Sequence, residues 1–152
     1  MKLIPFYLLL LNILLCNNLY IDKIIIDGNH AIKNNEIYKS MILKRPSLFI
    51  RTEFSNKILE QDLQNIIGLY KMNGYLDIEI KTNTYKQKNN YLNITYMVNE
   101  GRQYYFNDLI VVGNALIDNK SISRLFRKKK SKEFNPSFVA KKIFELKRLY
   151  LT

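Results

Sequence analysis

Few residues in this chain of 152 are equipped for covalent or metal chemistry. His30 is the only histidine and Cys16 the only cysteine, and neither has partners at the spacing of a nucleophilic triad or a zinc site. His30 follows Asn29 in a turn-forming stretch and is read as a turn residue. No glycine-rich phosphate loop is present. Asp77 and Glu79 project from one face of an expected strand, where solvation explains them better than catalysis. The chain is therefore expected to carry no catalytic residue, no cofactor and no metal, and not to be an enzyme. Binding chemistry remains, in two forms. In Leu76, Asp77, Ile78, Glu79, Ile80 and Lys81, apolar and charged residues alternate. An edge strand of this kind leaves backbone donors and acceptors unpaired, and an extended partner can add itself there; the charges can equally serve to keep the edge solvated. The second form is positive charge. Arg127-Lys128-Lys129-Lys130 and Lys132 concentrate it in a chain of net charge +11. Such a run reads first as a solvated loop, with an acidic membrane surface as the partner it would otherwise take.

Lys2, an apolar run from Leu3 to Leu15 broken only by Asn12, and polar Asn17-Asn18 have the three regions of a secretory signal peptide over residues 1–17. The run is shorter than the roughly 20 residues a membrane-spanning helix needs, so export is the stronger reading over a permanent anchor. An exported chain does not meet nucleic acid. Hydrophobic residues at 47% and charged residues at 24% are the balance of a globular protein.

The elements that must position any binding surface come twice. Ile24-Ile25-Ile26-Asp27-Gly28-Asn29, with Ile32 and Ile37, returns 85 positions later as Leu109-Ile110-Val111-Val112-Gly113-Asn114, with Ile117 and Ile122. Downstream the offset is 80: Phe54, Leu59, Leu63, Ile66 and Tyr70 return as Phe134, Val139, Ile143, Leu146 and Tyr150. A five-residue length change thus lies between the two blocks. Repetition at this spacing indicates stacked supersecondary units.

In the first unit, the largely β-branched Tyr20–Asp27 reads as a strand ended by the Asp27-Gly28-Asn29 turn. A short helix follows, capped by Asn34, with Ile37, Met41 and the stem of Lys44 on one face. Ser55 caps a second helix, and Phe54 stands at the staple spacing from Leu59. Leu59, Leu63, Ile66, Ile67 and Tyr70 form one apolar stripe, and Asn73-Gly74 ends it. Burying that stripe would contribute on the order of 8 to 15 kcal/mol gross, so it requires a sheet. Leu76–Lys81 and Leu92–Val98 alternate as strands, joined by a polar hairpin loop at 87–90. The second unit offers a strand over Phe106–Val112, a short helix around Ile122 and Leu125, and a long helix capped by Asn135 with Pro136 at its first position. A glycine turn and two closing strands have no counterpart after Tyr150. The stripe of the second long helix is therefore expected to be poorly covered.

Gly28-Asn29 after a strand, Leu69-Tyr70-Lys71-Met72-Asn73-Gly74-Tyr75, Val98-Asn99-Glu100-Gly101 leading into the next strand, and the repeated Gly113-Asn114 together resemble the POTRA domain. Tandem copies behind a signal peptide are similar to the periplasmic arm of the BamA family of outer-membrane protein assembly factors. The resemblance implies an α+β fold of tandem β-α-α-β-β units, each with two helices packed on a three-stranded mixed sheet, the second unit truncated. It places a first domain at 18–101 and an incomplete second at 102–152. It implies a location on the periplasmic side of the bacterial outer membrane, and binding of unfolded outer-membrane proteins and accessory periplasmic or lipoprotein subunits. By the family's strand order Leu76–Lys81 is the receiving edge. Many members place a glycine before the Phe that opens the second helix; here Arg51-Thr52-Glu53 and Ser131-Lys132-Glu133 stand there. The alternative resemblance is to the FtsQ type of cell-division module, with one such domain behind a membrane helix.

Overall fold

The computed structural model describes residues 18–47, 50–127 and 132–151. The signal-peptide reading of 1–17 and the lysines at 128–130 lie outside the described residues. Strand β1 (Tyr20–Asp27) is followed by helix α1 (Asn34–Ser40), a two-residue strand β2 (Thr52–Glu53) and helix α2 (Asn56–Met72). Strands β3 (Glu79–Lys86) and β4 (Tyr91–Asn99) close the first repeat, and helices α3 (Asn119–Phe126) and α4 (Pro136–Leu151) belong to the second. The sheet runs β2-β1-β4-β3, with β4 parallel to β1 and antiparallel to β3. The fold is α+β, as the alternation and stripe patterns imply.

Period-two alternation gives this sheet one dry face. Leu92, Ile94, Tyr96 and Val98 of β4 join Ile21, Ile24 and Ile26 of β1 in one core cluster with Ile37 of α1 and Leu59, Ile66 and Tyr70 of α2. Ile25 and Met97, pointing the other way, are exposed. The β3–β4 connection is a short polar link over 87–90. Asn89 and Asn90 both take positive φ, at 61° and 59°, a region asparagine tolerates better than most residues.

Several boundaries differ from expectation. The sheet has four strands, because Thr52 and Glu53 pair with Ile21 and Tyr20. α1 starts after Lys33, which makes no side-chain cap. Asn34 instead accepts a hydrogen bond from Asn29 at 2.6 Å, and the helix stops at Ser40, before Met41 and Lys44. β3 begins at Glu79, so Leu76 and Asp77 are turn residues and Ile78 precedes the strand. Residues 106–112 form no strand: no strand among the described residues lies beside them, and a strand without a ladder partner is not stable in water.

The repeat is visible in the hydrogen bonds themselves. Asn29 donates to Ile32 O at 2.8 Å and to Asn34 Oδ1; Asn114 donates to Ile117 O and, at 3.0 Å, to Asn119 Oδ1. Phe54 N donates to Leu19 O at 2.8 Å, and Phe134 N donates to Tyr104 O at 2.9 Å. The first pair of contacts keeps the 85-residue offset. In the second, Leu19 and Tyr104 keep it while Phe54 and Phe134 are 80 apart, so the length change falls in the segment between the two helices of each repeat.

Candidate functional site

β3 pairs along its eight residues with β4 and with no other strand of the sheet. In an antiparallel ladder every second residue of an outer strand turns its N–H and C=O away from the partner, so the free side of β3 is a row of backbone valences. Of the six residues expected to form the edge, Glu79, Ile80 and Lys81 do so. Leu76, Asp77 and Ile78 do not, because the chain is still completing the turn after α2. Asp77 has other work: its carboxylate accepts from Tyr104 Oη at 2.8 Å and lies 3.9 Å from Arg102. The edge continues instead through Thr82, Asn83, Thr84 and Tyr85 to Lys86. Its middle is uncharged, and Tyr85 is 70% exposed.

The turn motifs form the frame that holds this sheet to α2. Glu100, just past β4, accepts backbone N–H groups from His30 and Ala31, both at 2.8 Å, and the hydroxyl of Tyr70 at 3.0 Å. One carboxylate thereby ties the β1 corner, the last turn of α2 and the end of β4. Burial, and then the Glu100 charge, push the Tyr70 phenol well above its ordinary range. Tyr75 is raised for the same two reasons and meets the Tyr70 ring edge-on at 5.8 Å. Gly28 has φ +83°, and a Cβ there would stand 2.2 Å from Val98 O. Gly74, at φ +90°, ends α2 with a paired motif: its N–H donates to Lys71 O, and Tyr75 N donates to Tyr70 O.

Asp62 was not among the residues the motifs single out. It is fully buried on α2 and receives the N–H groups of Ile42 and, at 3.0 Å, Leu43. Burial raises its pKa despite those bonds. The signal was present in the spacing, since Asp62 lies three residues after Leu59 and four before Ile66, within the apolar stripe. Its partners lie in the longer inter-helix segment of the first repeat. At the equivalent place in the second repeat stands Lys142, which pairs with Glu145 at 2.6 Å. Asp62 is thus a clasp for a loop that the second repeat has in shorter form. The Tyr96 phenol is also raised by burial, and among the described residues neither Tyr96 Oη nor Asn93 Oδ1 has a hydrogen-bond partner. Both atoms are buried, on the sheet strand that lies between β1 and β3.

Residues 101–106 join the repeats through the backbone. Tyr104 N donates to Gly74 O at 2.8 Å, Tyr75 bridges to Gln103, and Tyr105 bridges to Glu133. Asn135, capping α4 through Phe138 N at 2.9 Å, also donates to Met72 O at 2.9 Å. Glu100 and Gly101 lie at the start of this link, and Gly113 and Asn114 mark the second corner. There, Tyr150 Oη donates to Asn114 Oδ1, a simpler tie than the one Glu100 makes.

Among the described residues no group of three or more His, Cys, Asp or Glu could hold a metal, and no helix is long and apolar enough to cross a membrane. His30 is a turn residue whose backbone N–H donates to Glu100.

A family model, POTRA, described as surface antigen variable number repeat, matches residues 19–101. A protein of Treponema pallidum (strain Nichols) named "Putative outer membrane protein assembly factor" is 24% identical over 121 residues, which cover 76% of this chain and 14% of that protein. The chain therefore spans a small part of that relative's length. The BamA POTRA3-5 structure of Haemophilus influenzae superimposes with TM-score 0.60 at 25% identity, covering 82% of this chain and 51% of that one. POTRA1-2 of the periplasmic domain of Omp85 from Anabaena gives 0.56 at 12% identity, with 88% and 79% covered, a likeness of fold alone.

Proposed function

The chain belongs to the POTRA family, and from that membership we propose that it forms part of the periplasmic arm of an outer-membrane protein assembly factor, receiving unfolded clients along the free edge of β3. The name of the Treponema relative and the BamA likeness support the assignment to assembly. On this reading the signal sequence delivers the chain to the periplasmic side of the outer membrane, with 18–101 as the first domain and 102–152 as the second. Clients are unfolded outer-membrane proteins, and accessory periplasmic or lipoprotein subunits dock on the same arm.

The observation that carries the reading is an eight-residue strand that, among the described residues, pairs on one side only. Backbone pairing is indifferent to client side chains, which suits a receptor for many sequences. Glu79, Lys81 and Lys86 flank an uncharged centre at Thr82–Tyr85, so charge keeps copies of this edge from pairing with one another while the centre stays open. The test uses the adjacent residues Asn83 and Thr84, one of which turns its N–H toward β4 and the other outward. Proline at the outward position removes a client-facing donor and leaves the ladder intact. Binding of an unfolded outer-membrane protein segment, read by fluorescence anisotropy, should fall at least about tenfold in the folded member of the pair Asn83→Pro and Thr84→Pro. Unchanged affinity in that folded variant refutes docking on β3.

A further inference from the structure

We propose that the outward face of α3, with the segment that leads into it, docks on the surface of an anionic phospholipid bilayer. The basic run of the sequence begins at Arg127 and extends forward; the structure places a better patch behind it. Lys120, Arg124 and Arg127 fall at i, i+4 and i+7, and with Asn119 and Ser123 they line one shallow hollow. None of the three has a carboxylate within ion-pair distance among the described residues. Asp118, the acid beside them in sequence, is occupied in capping the helix through Ser121 N at 2.9 Å and reaches Arg124 only through its field. The helix cannot turn these cations inward, because its other face is fixed by Ile122 and Phe126, exposed by 3% and 6%.

The segment that leads into α3 carries apolar side chains in water. Ile110, Val112 and Leu116 are 84%, 87% and 81% exposed, all within the ten residues before α3. Arg127 also borders an adjoining hollow with Phe106, Leu109, Phe126 and Lys132, in which Asp108 is the one acid; Asp108 lies beyond ion-pair distance of Arg127. Unpaired cations on a helix whose leading segment exposes aliphatic groups are what an interfacial segment uses: the cations meet phosphate head groups and the aliphatic groups enter the boundary beneath them. Nucleic acid would satisfy the charges but leave the aliphatic groups in water. On α3 itself it would also find no stacking surface, since Phe126, the one aromatic of the helix, is buried.

The surface lies in the second repeat, apart from β3, so its test is independent of client binding. The full chain is sedimented with mixed phosphatidylcholine–phosphatidylglycerol vesicles and with pure phosphatidylcholine vesicles. Binding is expected to the mixed vesicles, weakening with salt. Each cation removed should lower partitioning about fivefold, so Lys120→Gln/Arg124→Gln/Arg127→Gln should lose about 100-fold. Lys33→Gln/Lys39→Gln/Lys57→Gln removes the same charge from the first repeat and should cost less than about fivefold. Ile110→Ser/Val112→Ser/Leu116→Ser should weaken binding while keeping its salt dependence. Equal losses in the two cation variants, equal binding to neutral vesicles, or no binding to either would overturn the proposal. So would an α3 variant that loses affinity for a single-stranded oligonucleotide while holding vesicles unchanged.

Discussion

Replacing Asp62 by alanine should loosen one loop of one repeat. The carboxylate accepts two backbone N–H groups from the segment joining α1 to β2, and hydrogen bonds to a charged acceptor contribute about 1.5 to 3 kcal/mol each. The gross value, about 3 to 6 kcal/mol, is reduced by the cost of burying the carboxylate, which is large enough to hold its pKa above the usual range. A net loss of about 2 kcal/mol remains, equivalent to a Tm lower by roughly 4 to 8 °C in a chain of this size. The same substitution at its counterpart, Lys142→Ala, breaks a partly exposed Lys142–Glu145 pair and the contact of Lys142 Nζ with the Phe138 ring at 5.9 Å, and should cost much less. Urea denaturation measures both, and amide exchange at Ile42 and Leu43 locates the effect. The pH dependence has a definite sign. A carboxyl whose folded pKa is raised binds its proton more tightly in the folded state. Its contribution is therefore present below the unfolded value near about 3.9 and declines as pH rises through the folded value. Asp62→Asn should flatten that decline. Equal destabilisation by Asp62→Ala and Lys142→Ala, or unaltered exchange at Leu43, would refute the reasoning.

Glu100→Ala removes the acceptor of two exposed N–H groups and leaves a buried phenol unpaired; a loss of about 1 to 3 kcal/mol by urea denaturation is expected, most of it from the phenol, with Glu100→Gln recovering part of it. Gly28→Ala forces a Cβ to 2.2 Å from Val98 O and should cost at least about 3 kcal/mol, whereas Gly113→Ala, at similar φ but in open space, should cost about 1 kcal/mol. Calorimetry separates the two. Along α4, Ile143 and Tyr150 are 43% and 40% exposed, where their counterparts on α2 are the partly buried Leu63 and the fully buried Tyr70. Amides of Ile143–Tyr150 should exchange at least about 100-fold faster than those of Leu63–Tyr70, and equal protection would contradict the assignment of an open helix face.

What the sequence disclosed tracked the physics of each signal. β1 and the 87–90 loop were legible because a β-branched run and a polar cluster act locally. α2 was legible because its stripe, staple residue and glycine stop agree with one another. The strand expected at Phe106–Val112 failed for the opposite reason: β-branched residues favour a pleated surface, but only a neighbouring strand supplies the hydrogen bonds, and none lies there among the described residues. β3 was placed three residues early because Leu76 continues the alternation of Ile78 and Ile80. The alternation cannot report that Asp77 is already held by Tyr104, 27 residues further on. Asp62 escaped notice because an acid in an apolar stripe has no meaning until the two N–H groups from a distant loop are placed above it.

The junction between repeats adds a constraint that side-chain patterns do not carry. Tyr104 receives at its carbonyl the N–H of Phe134, as Leu19 receives that of Phe54, and so it opens the second repeat as Leu19 opens the first. Its own N–H is given to Gly74 O, at the end of α2. A single residue thus belongs to the opening of one unit and the helix terminus of the other, through main-chain atoms on both sides. A Cβ at position 74 would stand 2.6 Å from that same carbonyl of Tyr104. The close approach of the repeats therefore depends on glycine at 74 and on backbone geometry at 104. Surface residues on β3 and α3 can change without altering it, which leaves the two proposed binding faces open to independent adjustment on one fixed frame.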